Sequence, residues 1–216
     1  MTSLEYSLKL QRASDGIEVS GNVSAFQIKE EQPALSSASF SLATPFIFNG
    51  QLTNHNLSLR PFKGSQSLPG DACLDSTETV LSIVNKDLVI FPEKLSIGLT
   101  WQDSTTSTAC SGSIPVVVST ISDFQVTGAV TLDGIDALTV NRTERFSIVG
   151  EGSQGQHQIG INGTGTGKGQ ALIDRSTGSL LSLTTINQTE LSIKSSGRIQ
   201  SFIQTSEETT KRKPPL

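Results

Sequence analysis

The sequence is short of charge, of histidine and of cysteine, and each shortage excludes something. Charged residues are only 17% of the 216, and the net charge is −4 at pH 7. With pI ≈ 5.2, this is not the basic profile of a nucleic-acid binder. No apolar run approaches the 18 or so residues that a membrane-spanning helix needs. There are two histidines, His55 and His157, and neither sits in a GxSxG, HExxH or comparable constellation. The Asp133-Gly134-Ile135-Asp136 stretch lacks the acidic spacing of a calcium loop and reads as a hairpin turn. Glu144, Glu151 and Asp174 are the carboxylates that hairpins are able to bring toward His157, a thin basis for catalysis. The expectation is a protein without enzymatic activity, cofactor or metal.

What fills the chain instead is Ser and Thr, 31 and 23 residues, a quarter of the total. Low charge and many β-branched residues point to an exported β-protein, periplasmic, cell-surface or secreted. No basic-then-apolar leader precedes the first strand pattern at Leu4, Tyr6, Leu8 and Leu10, so the export signal is expected to be absent from this chain. Cys73 and Cys110 both lie in polar, turn-rich surroundings, which favours a disulfide in an oxidising compartment. It would close a loop of 38 residues and contribute roughly 3–4 kcal/mol by chain entropy. Five Asn-x-Ser/Thr sites, at Asn22, Asn56, Asn141, Asn162 and Asn187, matter only in a eukaryotic secretory route.

Alternation of period two runs through most of the chain. It predicts about ten to twelve strands in an antiparallel meander that curls into a half-barrel or barrel, or splits into a sandwich. The phase shift near Ala25-Phe26 predicts a bulge, and Asn49-Gly50 and Ser195-Ser196-Gly197 predict turns. Residues 60–74 read as a loop. One helix is expected at about 76–87, capped by Asp75 or Ser76. A single β domain over 1–205 is expected, followed by a disordered tail at 206–216, where charges and two prolines replace the apolar pattern.

The run Gly163-Thr-Gly-Thr-Gly-Lys-Gly169 fails both phosphate-loop patterns. On a strand it places four glycines on one face, leaving bare backbone against which a helix, an aromatic ring or a ligand can approach. Trp101, the only tryptophan, is expected to be largely buried with its indole N–H bonded to a carbonyl. The candidate ligand site is a groove between the helix and the sheet. Val80, Leu81, Val84 and Leu88 would face Phe124, Val126, Leu181 and Leu183, and the occupant would be a lipid, an acyl chain or another apolar ligand. Binding of a partner protein of the cell envelope on the same concave sheet is the companion reading. The alternative is a Ser/Thr-rich structural or adhesive surface module with a filled core.

The stretch Phe91-Pro92 through Ile97-Gly98-Leu99-Thr100-Trp101 resembles a Pro–apolar–Gly–Trp pattern of bacterial extracytoplasmic lipoprotein-type domains. Phe124-x-Val126-x-Gly128, Asp133-Gly134-x-x-Ala137-x-x-Val140 and Asp174-x-x-x-Gly178-x-Leu180 are similar as well. The likeness spans about residues 88–205; the first 60 residues and a lipobox cysteine depart from it. It implies a half-barrel of the lipoprotein-carrier (Lol-like) kind with a helix over its concave face, and no catalytic residues.

The disulfide is checked by thiol labelling under denaturant. Protein from an oxidising compartment should show no reactive thiol, and two would end the assignment.

Overall fold

The computed structural model describes residues 2–14, 16–28, 40–41, 46–53, 56–61, 80–81, 84, 91–92, 94–111, 114–154 and 156–212. These form eleven strands, and all their pairings are antiparallel. The fold is mainly β, as the alternation predicts, but the strands divide between two sheets. Contacts separate the chain into two compact units, 1–86 and 87–216, where the sequence suggests one domain.

The first unit holds β1 (Thr2–Ala13), β2 (Gly16–Ile28), β3 (Phe40–Ser41), β4 (Phe46–Thr53) and β5 (Asn56–Pro61). Its order is β1-β2-β4-β5, with β3 also on β2. Among the described residues of these strands, Val19, Val23 and Phe48 are buried. Gly21 faces Phe48, whose ring occupies the space a Cβ would need. The predicted bulge is present: Glu5 pairs with Ala25 and Tyr6 with Val23, so Ser24 is the extra residue. Asn49-Gly50 is not a turn. It lies inside β4, paired on one side with Ser20 and Val19 and on the other with Arg60 and Leu59. Placing the turn there would break the alternation that buries Phe48, and the burial of a large aromatic outweighs a local turn preference. Val80, Leu81 and Val84 are helical, in agreement with the expected helix, and buried. The rest of that helix, Leu88 and nearly all of the 60–74 loop lie outside the described residues.

The second unit is a six-stranded meander: β6 (Thr100–Ser111), β7 (Ile114–Leu132), β8 (Ile135–Gln154), β9 (His157–Asp174), β10 (Leu180–Ser195) and β11 (Arg198–Lys211). β6 and β11 are its edges, so the sheet is open and not a closed barrel. The strands run to 20 residues, several times the usual length. Two-residue type I′ turns fix the register at two hairpins. Asp133 and Gly134 have φ of 50° and 80°, Ser196 and Gly197 of 48° and 79°, the left-handed pair such turns demand.

The connection between β9 and β10 is built on Asp174. Its Oδ1 accepts hydrogen bonds from the Ser176 hydroxyl at 2.7 Å, the Ser176 N–H at 2.8 Å and the Thr177 N–H at 3.2 Å. These donors stabilise the anion and hold the Asp174 carboxyl at about 2.

β11 continues to Lys211, so the expected disordered tail does not begin at residue 206. Ser206 to Lys211 pair with Asn187 to Ser182. The segment has no continuous apolar face, but backbone pairing with β10 orders it. Deleting residues 206–216 strips six cross-strand pairs and should lower the melting temperature by several degrees. An unchanged transition in a thermal scan would show that this part of the strand contributes nothing.

Candidate functional site

Across β7 to β10 one face of the second sheet is buried and carries two apolar clusters. The first comprises Phe124, Val126, Leu138, Val140, Ala171, Ile173 and Leu183, with Phe91, Leu95, Leu99, Trp101 and Leu180 packed at its margin. The second, toward the other ends of the strands, comprises Ile114, Val116 and Ile161 with Val118, Ile148, Ile159, Leu191 and Ile193 around it. Between them lies a belt of buried polar side chains: Ser122, Arg142, Glu144, Thr185 and Asn187, all at most 8% exposed.

The register explains the belt. One cross-strand row reads Trp101, Phe124, Arg142, Gly169, Thr185, Glu208, and the next Asp103, Ser122, Glu144, Gly167, Asn187, Ser206. Glu144 on β8 and Asn187 on β10 thus flank the same glycine on β9 and meet above it. With its amide oriented toward the carboxylate, Asn187 donates to Glu144 Oε1 at 2.8 Å and to the Ile186 carbonyl at 3.3 Å. The other carboxylate oxygen lies 2.5 Å from Arg142 Nη2. Arg142 also donates through Nε and Nη2 to Ser122 Oγ at 3.3 and 3.2 Å.

The guanidinium stands 5.8 Å from the centre of the Phe124 ring. Phe124 stacks on Trp101, with centroids 4.8 Å apart and planes 7° from parallel, and Phe91 meets Trp101 edge-on at 6.1 Å. A cation–π contact and two aromatic pairs therefore join the belt to the first cluster. The expected carbonyl partner of Trp101 is not there: its indole N–H is buried with no acceptor among the described residues. Stacking on Phe124 fixes the ring plane, and the N–H points where that plane sends it.

The glycine stripe is on β9 as its spacing predicts, and its bare face is occupied. A Cβ on Gly167 would fall 2.6 Å from Glu144 Cγ and closer still to the Asn187 amide. One on Gly165 would collide with the Phe146 ring, and one on Gly163 would sit 2.7 Å from Leu191 Cδ2. The chain's own side chains fill the space a ligand would take.

Of the predicted groove residues, Phe124, Val126 and Leu183 share the first cluster, and Leu181 is buried on β10. Val80, Leu81 and Val84 are buried in the first unit; Leu88 lies outside the described residues. So do Cys73 and the side chain of Cys110. His157 is exposed at the start of β9, with Nδ1 2.7 Å from Ser196 Oγ. Asp174 is at the opposite end of that strand and Glu144 belongs to the belt, so neither joins His157. Among the described residues no group of three His, Cys, Asp or Glu side chains is placed to hold a metal ion.

The sequence reading did not single out Arg142, Glu144, Ser122, Thr185 and Asn187 as a set. The signal was in β8, where Val140-x-Arg142-x-Glu144-x-Phe146 puts two opposite charges on an otherwise apolar face. Asn187, one of the five glycosylation sequons, is buried at 4% exposure, unlike exposed Asn22, Asn141 and Asn162.

The outer face is polar. It holds two open troughs, one along Asp123, Thr143, Arg145, Thr166, Lys168 and Gln188, the other along Val149, Asn162, Thr164, Glu190, Ser201 and Ile203. Arg145 and Asp123 approach to 3.6 Å in the first and are both well exposed. Comparison with protein-family models, with curated proteins and with solved structures finds no match.

Glu144→Gln removes the anion and leaves the Arg142 charge buried beside a neutral amide. It should destabilise the protein by about 3–5 kcal/mol. Replacing both, Arg142→Met with Glu144→Leu, should cost much less, because no lone charge remains. Urea midpoints decide the matter, and equal losses in the two variants would mean the pair is hydrated rather than sealed.

Proposed function

We propose that this chain is a non-enzymatic, extracytoplasmic β-protein that acts as a structural or adhesive interaction module, presenting its second sheet to protein partners. The observation that carries this reading is the occupied inner face. Where an acyl-chain carrier needs an apolar hollow, this sheet has two packed clusters joined by a belt of paired polar groups. Phe146 and Leu191 cross the bare glycine backbone that a ligand would otherwise use. Phe124, Val126, Leu181 and Leu183 serve in this reading as core rather than as a groove wall.

What the molecule offers to others is its outer face and its edges. The outer face is dominated by Ser, Thr, Asn and Gln, with one facing pair, Val117 and Val149, and single aliphatics such as Ile121 and Ile186 standing 42–53% exposed. Scattered aliphatics over a polar field suit modest, wet contacts more than the deep burial of a hydrocarbon tail. The extracytoplasmic placement rests on the low charge, the Ser/Thr-rich strands and the likeness to lipoprotein-type domains. No helix among the described residues is long and apolar enough to cross a membrane.

Fatty acids, lysolipids and phospholipids should leave the thermal transition unmoved, and native mass spectra should show no co-purified lipid. A ligand at a hundredfold excess over its dissociation constant stabilises by about 2.7 kcal/mol, well within reach of a thermal-shift assay. A clear shift with any of these lipids would restore the acyl-chain reading.

A further inference from the structure

The edge strand β11 is long, regular and only partly protected. It pairs with β10 over fourteen residues without a bulge, and among the described residues β10 is its only strand neighbour. Charge guards its ends: Arg198 at the start, Glu207, Glu208 and Lys211 at the finish. Between them Ile199 to Ser206 carry no charge and no proline, and Ile199, Phe202 and Ile203 are 66%, 44% and 64% exposed. Sheet edges normally blunt such a run with a lysine, a proline or a bulge.

We infer that β11 is the docking edge for a second copy of this chain, joined antiparallel about a two-fold axis at Ile203. The inference rests on the interaction-module reading and names its partner. The register follows from two constraints. In an antiparallel ladder, residues facing each other must both point their N–H and C=O groups toward the shared edge or both away from it. Since these groups alternate along β11, only registers that pair even numbers with even and odd with odd are allowed. A two-fold then passes through a residue.

Charge selects among the allowed axes that keep the bare stretch from Ile199 to Ser206 in the ladder; axes farther along, at Thr209 or Thr210, also make ion pairs but leave most of that stretch unpaired. An axis at Thr205 sets Arg198 against Arg212 of the other copy, which repel. One at Phe202 sets Arg198 against Ser206, and one at Gln204 sets it against Thr210; neither gives an ion pair. An axis at Ile203 sets Arg198 against Glu208, twice by symmetry, and faces Ile203 with itself at the centre. Eleven residues of each strand then pair, 198 to 208. Both Arg198 and Glu208 lie on the exposed edge strand, and a carboxylate accepts several donors, so the pairing does not require Glu208 to give up its contacts within the chain.

The full chain, analysed by sedimentation and light scattering at roughly 100 μM, should be dimeric; that concentration populates even a dimer of about 10 μM affinity. Arg198→Glu and Glu208→Arg should each weaken the dimer on the order of tenfold, since each reverses two symmetric cross-strand pairs, and together they should restore it. Ile203→Cys should yield a covalent dimer on mild oxidation, because facing residues are about 5 Å apart at Cα. Thr205→Cys should not: Thr205 faces Ser201 of the other copy, which leaves the two new thiols more than about 10 Å apart. A monomer throughout, or a dimer indifferent to both charge reversals and not cross-linked through position 203, overturns the proposal. Neither result bears on the interaction-module reading, which the lipid screen tests separately.

Discussion

Much of the second sheet depends on one omission: β9 carries no side chain on its inner face from Gly163 to Gly169. Neighbouring strands in a sheet lie about 4.8 Å apart, so strands two apart cannot ordinarily join short side chains across the one between them. Removing the intervening side chains lets β8 and β10 make contact. Glu144 and Asn187 meet over Gly167, while Phe146 and Leu191 lie over Gly165 and Gly163. The belt, and the filling of the space between the two apolar clusters, follow from that contact.

The buried pair is a poor source of net stability, since desolvation consumes most of what the Coulomb attraction returns. It is well suited to fixing register. These strands run to 20 residues and are rich in Ser, Thr and Gly, the composition in which slippage is cheapest. A slip of one residue on β8 would send Arg142 and Glu144 outward and bring Thr143 and Arg145 in. Glu144 would lose Asn187, and a lone guanidinium would enter an apolar face. The two type I′ turns lock two of the hairpins at their ends, and the belt locks the middle of the sheet, far from any turn. On this account the polar belt serves the architecture, holding β8 in register against its neighbours.

Features that live in local alternation were legible in the sequence. The strands of the second sheet, the Asp133-Gly134 and Ser196-Gly197 turns, the displaced phase near Ala25 and the faces of the glycine run all follow from spacing and turn chemistry. Features set by what lies across the sheet were not. Asn49-Gly50 has the chemistry of a turn, yet pairing on both sides holds it in β4. Residues 206–211 lack an apolar face and are ordered by β10. Glu144 looked like a stray carboxylate near a histidine, because only the register reveals that its neighbour is a glycine and its partner lies one strand beyond. The filled inner face was illegible for the same reason: a stripe of glycines records space, and only the flanking strands say whether that space is empty.

The two edges of the second sheet differ in a way that bears on how such a molecule associates. β6 presents Trp101, then Asp103 and a run of Ser and Thr; no large aliphatic is exposed along it. β11 presents Ile199, Phe202 and Ile203. Had both edges been apolar and unguarded, β6 of one copy would pair with β11 of the next, a heterologous contact that propagates into open fibres. Confining the adhesive stretch to one edge removes that route. Pairing β11 with itself consumes both copies' exposed β11 edges at once and leaves β6, with its run of hydroxyl side chains, outside the contact. A strand that is guarded by charge at its ends and bare in its middle therefore reads as an edge shaped to stop at two.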